Sequence, residues 1–226
     1  MTRIQIIRKW LRYNLGLVIY SFGVYCTIHA DIGAAPWDVF YLGLSGALHT
    51  TYGVISLATG VVAVALDLWM GEKIGFGTLF DAVFTGFFAD FWMFLNPICI
   101  LENALGQASQ ALPARLLMMA TGLFILSLGT YFCMSSGQSC GPKDALLIGI
   151  GKRLRAFPIG VVQILLQGAV LAIGWMLGGP VGIGTVMAAG LGGTAMQIVF
   201  SLLHFEPRDT VHHDLIETVR MLGGKA

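Results

Sequence analysis

The chain has 226 residues, of which 56% are hydrophobic and only 11% charged, and its formal net charge is +1. Soluble domains carry about 25% charged residues, so this composition excludes an ordinary soluble fold and indicates a membrane protein. No basic segment is interleaved with aromatics, so no nucleic-acid partner is expected. The cysteines lack ligand spacing and are predicted to be apolar helix residues, without a metal or a cofactor. They are Cys26, Cys99, Cys133 and Cys140.

The first segment begins with a basic N-terminus, residues 1–12, and continues into an apolar stretch, 13–30. The residues "RIQIIRKWLR" and "HADIGAA" around this stretch also resemble a signal peptide with its cleavage site. Residues 115–142 repeat the same pattern inside the chain, where no signal peptidase acts. We therefore interpret 13–30 as a retained membrane helix.

Six stretches are long enough to cross a hydrocarbon core of roughly 30 Å, which takes about 20 residues. They lie near 13–30, 53–70, 76–96, 116–134, 159–177 and 181–203. Two further segments, 37–48 and 143–154, would rise only about 18 Å as helices. The predicted fold is an all-α polytopic membrane helix bundle with six full spans and two short helices, half or re-entrant.

Charge distribution supports an orientation with both termini in the cytoplasm. Six crossings leave Arg115 as the only Lys or Arg outside, as the positive-inside rule favours. Eight crossings, in which the short segments also span, place only Lys73 and Lys143 outside, so charge counting does not separate the two topologies. Length favours six, and the expected location is the bacterial inner (plasma) membrane.

The two halves of the chain repeat each other. Two units are predicted, 13–96 and 115–204, joined by a linker, 97–114, and the repeat has a period of about 107 residues. Three crossings per unit would make the repeats inverted and four would make them parallel, and either is a known transporter plan with a site near the midplane. The matching pairs are Gly16/Gly122, Gly23/Gly129, Tyr25/Tyr131, Pro36/Pro142, Asp38/Asp144, Gly53/Gly160, Gly86/Gly193 and Asp90/Gln197.

A Pro-x-Asp motif begins each short segment, at Pro36 and Pro142. Proline at the first helical position loses no hydrogen bond, and the aspartate two residues later favours the positive end of the helix dipole. This explains the motif as a helix start. A carboxylate there could also bind a cation or a proton during transport, so Asp38 and Asp144 are candidates. Trp37 is a third candidate, because it lies inside the first motif.

Intramembrane polar residues form a second set of candidates. Asp81 and Asp90 lie in the first unit, where an ionised Asp exposed to lipid would cost roughly 2.5–3.5 kcal/mol on insertion scales. These side chains are therefore expected to face the bundle interior, although Asp81 could also cap a helix with Thr78. In the second unit the candidates are Gln163, Gln167 and Gln197.

A G-x-G-T turn precedes the last span of each unit. Glycine permits a tight reversal and the threonine can cap the next helix, which explains the motif structurally. A free helix N-terminus can also hold an anionic group, but no strand precedes the turn, so a dinucleotide site is not expected. The residues are Gly75, Gly77 and Thr78, and Gly182, Gly184 and Thr185.

The tail, 205–226, is polar and is predicted to form a cytoplasmic surface helix. Its adjacent histidines, His212 and His213, would point in different directions on that helix, so no metal site is expected. Catalytic signatures such as G-x-S-x-G, H-E-x-x-H and a Walker loop do not occur in the chain, and no enzymatic activity is predicted.

Three segments resemble the YczE/YitT group of bacterial integral membrane proteins: "IGAAPWDVFYLGLS", "CGPKDALLIGIGKRL" and "GWMLGGPVGIGTVMAAGLGGTAMQIVF". The resemblance extends from about Gly16 to Phe200 and implies a multi-span inner-membrane protein of the transporter type. It also implies a basic residue and a carboxylate where this chain has Gln163 and Gln167, so a charge-dependent role at those positions would be absent or altered here.

The function predicted from these features is secondary transport of a small solute, coupled to H⁺ or Na⁺ through Asp38, Asp144 or Asp90. The excess of acidic over basic residues in the membrane favours a cationic or zwitterionic solute. The partners are the lipid bilayer, an unknown small-molecule solute and a possible second copy in a homo-oligomer. Two alternatives stay open: a membrane-embedded binding subunit of a vitamin-type (ECF-like) transporter, and a non-transporting scaffold or regulator.

Overall fold

The computed structural model describes residues 3–71, 75–99, 110–137, 141–154 and 157–205. These residues form helices and connecting turns, with no strand among them, so the predicted all-α fold is confirmed. The main helices are α1 (Arg3–His29), α2 (Pro36–Leu48), α3 (Tyr52–Met70), α4 (Phe76–Leu95), α5 (Leu112–Ser135), α6 (Pro142–Arg153), α7 (Ile159–Met176) and α8 (Ile183–Leu202). The predicted tail helix with His212 and His213 lies outside the described residues.

The helices match the segments predicted from hydropathy. Four of them are long and apolar enough to cross a membrane, in the described ranges: α3, α4 with its extension to Cys99, α5 and α8. Helix α7 is shorter, and α2 and α6 have 13 and 12 residues. Helix α1 begins at Arg3 rather than near residue 13, because its basic first turns continue the same helix. The count of six spans therefore stays a prediction.

The largest contact in the bundle joins α1 and α5, which run antiparallel. Gly16 lies against Cys133 near one end of the pair, and Gly23 lies against Leu126 towards the other. A Cβ on Gly23 would be 2.5 Å from the backbone nitrogen of Leu126, so the two helices touch through their backbones. Small residues permit this approach in lipid, where helices associate by packing rather than by the hydrophobic effect.

Helix α4 lies parallel to α1. The Tyr13 hydroxyl donates to the Gly77 carbonyl (2.7 Å) at the start of α4, and the Tyr25 hydroxyl donates to Asn96 Oδ1 (2.6 Å) directly after the end of α4. These two bonds hold α4 in register with α1 along its full length.

Helix α8 lies parallel to α5 in the same manner. Met119 and Ala195 share one buried cluster, and further along both helices the rings of Tyr131 and Phe200 are 6.5 Å apart between centroids. The bundle thus has two parallel pairs, α1 with α4 and α5 with α8, packed antiparallel across the α1–α5 contact.

The short helices lie between these pairs. Helix α2 packs mainly on α7, where Gly43 and Gly174 each lie against the backbone of the other helix, and α6 packs mainly on α3. The entry to α2 is joined to the turn before α8, because the Ala34 N–H donates to the Pro180 carbonyl (3.2 Å) and the Gly184 N–H donates to the Ile32 carbonyl (2.7 Å). These contacts place the N-terminus of α2 inside the bundle.

Adding a single methyl group at the α1–α5 contact is expected to destabilise the protein. The Cβ of Gly129→Ala would meet the backbone of Tyr20, which cannot move aside without separating the helices. We expect a loss of about 1–3 kcal/mol, the usual cost of overpacking, measured by thermal unfolding in detergent. Gly46→Ala is the matched control, because nothing lies within 4 Å of its added Cβ. Equal unfolding temperatures for the two variants would contradict the close contact.

Candidate functional site

The N-termini of α2 and α6 approach each other inside the bundle. Each helix begins with a proline, and Lys143, the second residue of α6, reaches towards α2. Its Nζ lies 5.9 Å from the centroid of the Trp37 ring and 5.4 Å from that of Tyr41. Aromatic faces attract an ammonium group, most strongly where water is excluded. Lys143, which charge counting placed in a cytoplasmic loop, therefore lies in the interior.

Asp38 lies next to this lysine, on the first turn of α2. Its side chain is 5% exposed, and its Oδ1 accepts a hydrogen bond of 2.8 Å from the Tyr52 hydroxyl. Tyr52 is the first residue of α3, and its ring packs edge-on against Tyr41. The carboxylate is thus held by a residue of another helix, in addition to the favourable dipole at its own helix start.

A small cavity lies on the other side of Lys143. It encloses about 20 Å³, which is room for one water molecule. Asp81 reaches it from α4, and its Oδ1 accepts a hydrogen bond of 2.7 Å from the Thr85 hydroxyl. The lining residues are Tyr20, Tyr41, Ser56, Gly60, Asp81, Ala82, Thr85, Pro142 and Lys143.

These groups form one electrostatic unit, which we call the Lys143 cluster: Lys143, Asp38 and Asp81. The charges of both carboxylates act on the ammonium group. With all three ionised, one positive and two negative charges leave a net charge of −1 in a setting where unit charges interact far more strongly than in water. Such a cluster is suited to take up one proton or one monovalent cation.

Asp90 has a different position. Its Oδ1 accepts the backbone N–H of Gly53 at 2.8 Å, and Gly53 packs directly against Gly86 on α4. The first N–H groups of a helix have no partner within that helix. Asp90, on the neighbouring helix α4, therefore provides a hydrogen-bond acceptor for one of these groups at the start of α3. Asp90 does not line the cavity, and its hydrogen bond joins the start of α3 to α4.

The structure does not bring the three glutamine candidates to the cavity. Gln163 and Gln197 are exposed on the bundle surface, and Gln167 is half-buried. Asp144 lies on α6, but its side chain is outside the described part of the structure. Among the described residues, no group of three or more His, Cys, Asp and Glu side chains could hold a metal ion.

The G-x-G-T turns serve helix starts and close packing. Thr185 Oγ1 accepts the N–H of Gly182 at 3.2 Å, and Gly182 touches the backbone of Ile32. Thr78 is fully buried, as its counterpart Thr185 nearly is. Gly75 and Gly77 begin α4, and Gly184 lies against Gly33 in the turn after α1.

Sequence reasoning missed the centre of the site. Lys143, Tyr41 and Tyr52 were not among the candidates, because a lysine at a helix start beside a predicted span resembles an ordinary interfacial charge. The one available signal was the repeat itself, which aligns Lys143 with Trp37, and these two side chains are in contact.

The fold and the cluster define a class: a polytopic α-helical membrane protein with ionisable side chains buried in its bundle. The profile of one family, described as a family of unknown function (DUF6198), matches residues 7–201. The chain belongs to this family.

Curated relatives agree with this assignment and with the YczE resemblance. The chain is 28% identical over 200 residues to the uncharacterized membrane protein YczE of Bacillus subtilis (strain 168), covering 88% of this chain and 87% of that protein. It is 29% identical over 204 residues to the uncharacterized protein YyaS of the same strain, covering 87% and 96%. It is 28% identical over 189 residues to a Haemophilus influenzae protein, covering 83% and 81%. No solved structure matches the chain.

Removing the hydroxyl of Tyr52 is expected to weaken the fold through Asp38. Tyr52→Phe deletes a hydrogen bond to a buried charged group, which contributes about 1.5–3 kcal/mol. In an Asp38→Asn background the acceptor is neutral, and the same change is expected to cost about 0.5–1.5 kcal/mol. Chemical unfolding of the four proteins of this double-mutant cycle measures the difference. A coupling energy near zero would show that the bond is not formed.

Lys143→Met is expected to destabilise the protein by about 3–5 kcal/mol, because removing one partner of a buried ionic group leaves the other charge uncompensated. The cluster then carries a net charge of −2 instead of −1. Adding Asp81→Asn restores −1, so the double variant is expected to be more stable than Lys143→Met alone. Thermal unfolding at neutral pH compares the three proteins. A double variant no more stable than Lys143→Met would contradict this charge balance.

Proposed function

We propose that this protein is a secondary transporter of a small solute in the bacterial inner membrane, and that the Lys143 cluster is its coupling site. The observation that carries the proposal is a lysine inside the bundle, which lies over the rings of Trp37 and Tyr41 and beside a water-sized cavity that Asp81 also lines. Ionisable groups are expensive inside a membrane protein, and those retained there commonly mark ion or substrate pathways. A purely structural core would be more stable with apolar residues of similar volume.

The helix arrangement supports two inverted repeats. Under the proposed alignment α1 corresponds to α5, α2 to α6, α3 to α7 and α4 to α8. The parallel pairs α1–α4 and α5–α8 are then equivalent, and so are the contacts of α2 with α7 and of α6 with α3. Because α1 and α5 run antiparallel, the two units are oppositely directed. Three crossings per unit give six spans with both termini on the cytoplasmic side.

The location of the cluster agrees with that plan. Solute and ion sites of inverted-repeat transporters lie near the midplane, where interrupted helices from both repeats meet. Helices α2 and α6 are the short helices of the two units, and their first residues meet at Trp37 and Lys143. The site therefore contains one residue from each half at the same repeat position.

The charge of the cluster suggests how coupling operates. A net charge of −1 in a low-dielectric setting favours uptake of one H⁺ or one Na⁺, and the hydroxyl-rich cavity supplies oxygen atoms for either ion. The contacts of Lys143 Nζ with the rings of Trp37 and Tyr41 show that these rings can bind an ammonium group. A cationic or zwitterionic solute with its own amine would compete for the same rings, which favours that solute class.

The acidic residue of the cavity lining, Asp81, comes from the first repeat, whereas Lys143 comes from the second. The positions that correspond to Ser56 and Gly60 in the second unit are Gln163 and Gln167, and the counterpart of Asp81 is Ala188. The glutamines keep polar groups without charge. This asymmetry predicts one coupling ion per cycle rather than one for each repeat.

Asp81→Asn is expected to abolish proton coupling and to leave the fold intact. The purified protein is first screened by thermal shift with amines, amino acids and carboxylates at two pH values, and a stabilising compound is then tested in proteoliposomes. The wild type is expected to accumulate that compound when a pH gradient is imposed. Asp81→Asn is expected to allow only downhill exchange, with uphill accumulation reduced at least tenfold.

Asp31→Asn is the matched control, because Asp31 is exposed and pairs with Arg115 outside the cluster. It is expected to transport like the wild type. Uphill accumulation by Asp81→Asn at the wild-type level would refute the coupling role. Co-purification with an ATPase would favour the binding-subunit alternative, and normal cellular complementation by variants without any flux would favour a scaffold or regulator.

A further inference from the structure

The two helix pairs that end the repeats differ in their packing. Helices α3 and α4 are closely packed: Gly53 touches Gly86, and Gly60 touches Ala82. Their counterparts α7 and α8 are not packed against each other over the ranges that the structure describes. A Cβ added to Gly160 or Gly193 would find no atom within 4 Å.

The residues that lock α3 onto α4 nevertheless have counterparts in the open pair. Gly160 corresponds to Gly53, and Gly193 corresponds to Gly86. Gly53 and Gly160 each stand at the second position of their helix, where the N–H lacks a partner within the helix. The acceptor in the closed pair is Asp90, and its counterpart is Gln197, whose amide oxygen can accept the same bond.

We infer that α7 and α8 alternate between this open arrangement and a closed one, in which Gly160 docks on Gly193 and Gln197 accepts the Gly160 N–H. Gly160, Gly193 and Gln197 are the residues needed for this contact, and they do not make it in the structure described above. The inference rests on the proposed function, because it uses the inverted repeat.

The turn between the two helices is suited to act as the hinge. It contains three glycines, and Gly178 has a φ of +88°, with no neighbour within 4 Å of an added Cβ. Glycine adopts such backbone angles without strain. Gly179 and Gly182 pack against the backbone of Val39 and Ile32, so closure brings the far ends of α7 and α8 together about a turn that stays fixed on the entry to α2. Gln167 stands where the closed pair has the small residue Gly60. Its longer side chain would lie between the closing helices, so the closest contact would form at the Gly160 end.

The open pair and the closed pair lie at opposite ends of the bundle. Gly53, in the first turn of α3, is near the end marked by the bond between Tyr25 and Asn96, and Gly86 lies midway along α4. Gly160, in the first turn of α7, takes the position of Gly53 in the inverted repeat and so lies towards the other end, with Gly193 midway along α8. Closure at one end with opening at the other is the arrangement that alternating access requires.

The test substitutes glycines whose positions are free now and would be covered after closure. Gly160→Val and Gly193→Val are expected to fold normally and to be unable to close. Gly168→Val and Gly190→Val are matched controls on the same helices, because their counterparts, Val61 and Val83, are already valines in the closed pair. The controls are therefore expected to close.

The readout is the distance between spin labels at Val161→Cys and Ile198→Cys, in a background without the native cysteines, in lipid nanodiscs. The wild type and both controls are expected to give a longer and a shorter distance, and the two test variants only the longer one. The same distribution in all five proteins, or a single long distance in the wild type, would overturn the inference. A label-to-label distance that appears only in dimers would assign the open face to a second copy instead.

Transport assays on the same variants separate the two proposals. If the shorter distance appears and is lost in Gly193→Val, yet no compound moves in the wild type, the conformational change stands and the transport function fails. If the wild type transports and Gly193→Val transports equally well, the function stands and the closure does not.

Discussion

The structure depends on one charge inside the bundle, the ammonium group of the half-buried Lys143. A charge in the interior of a membrane bundle is tolerated only where other groups replace its hydration. Here the rings of Trp37 and Tyr41 and the carboxylates of Asp38 and Asp81 do so. Each of these residues comes from a helix whose position is set by other contacts, so the cluster exists only when α2, α4 and α6 are assembled together.

That assembly follows from glycine. The backbones of α1 and α5 meet at Gly23 and Gly129, and α2 meets α7 at Gly43 and Gly174. Lipid offers no hydrophobic drive for helices to associate, so close backbone contact supplies the packing energy. The same contacts leave the first turns of the short helices facing each other. The glycine contacts that pack the helix backbones together therefore also bring the charged side chains together.

Residues at corresponding positions of the two halves make different contacts. Asp90 and its counterpart Gln197 illustrate this: the first locks α3 to α4, and the second stands on an open face. The first half also supplies the acidic lining residue Asp81, while the second half supplies Lys143 and has Gln163 and Gln167 at the positions of Ser56 and Gly60. Under the proposed repeat, unequal halves would give the bundle two arrangements of similar packing, which the proposed transport cycle requires.

The sequence by itself determined the membrane class, the helix order and the starts of the short helices, because apolar length and the Pro-x-Asp motif are local signals. Residues 37–48 and 143–154 were predicted within a residue or two of α2 and α6. Only the tertiary structure decided that Lys143 points inward, that Tyr52 holds Asp38 and that Asp90 caps α3. These facts depend on which helices become neighbours, and hydropathy and spacing along the chain carry no information about that.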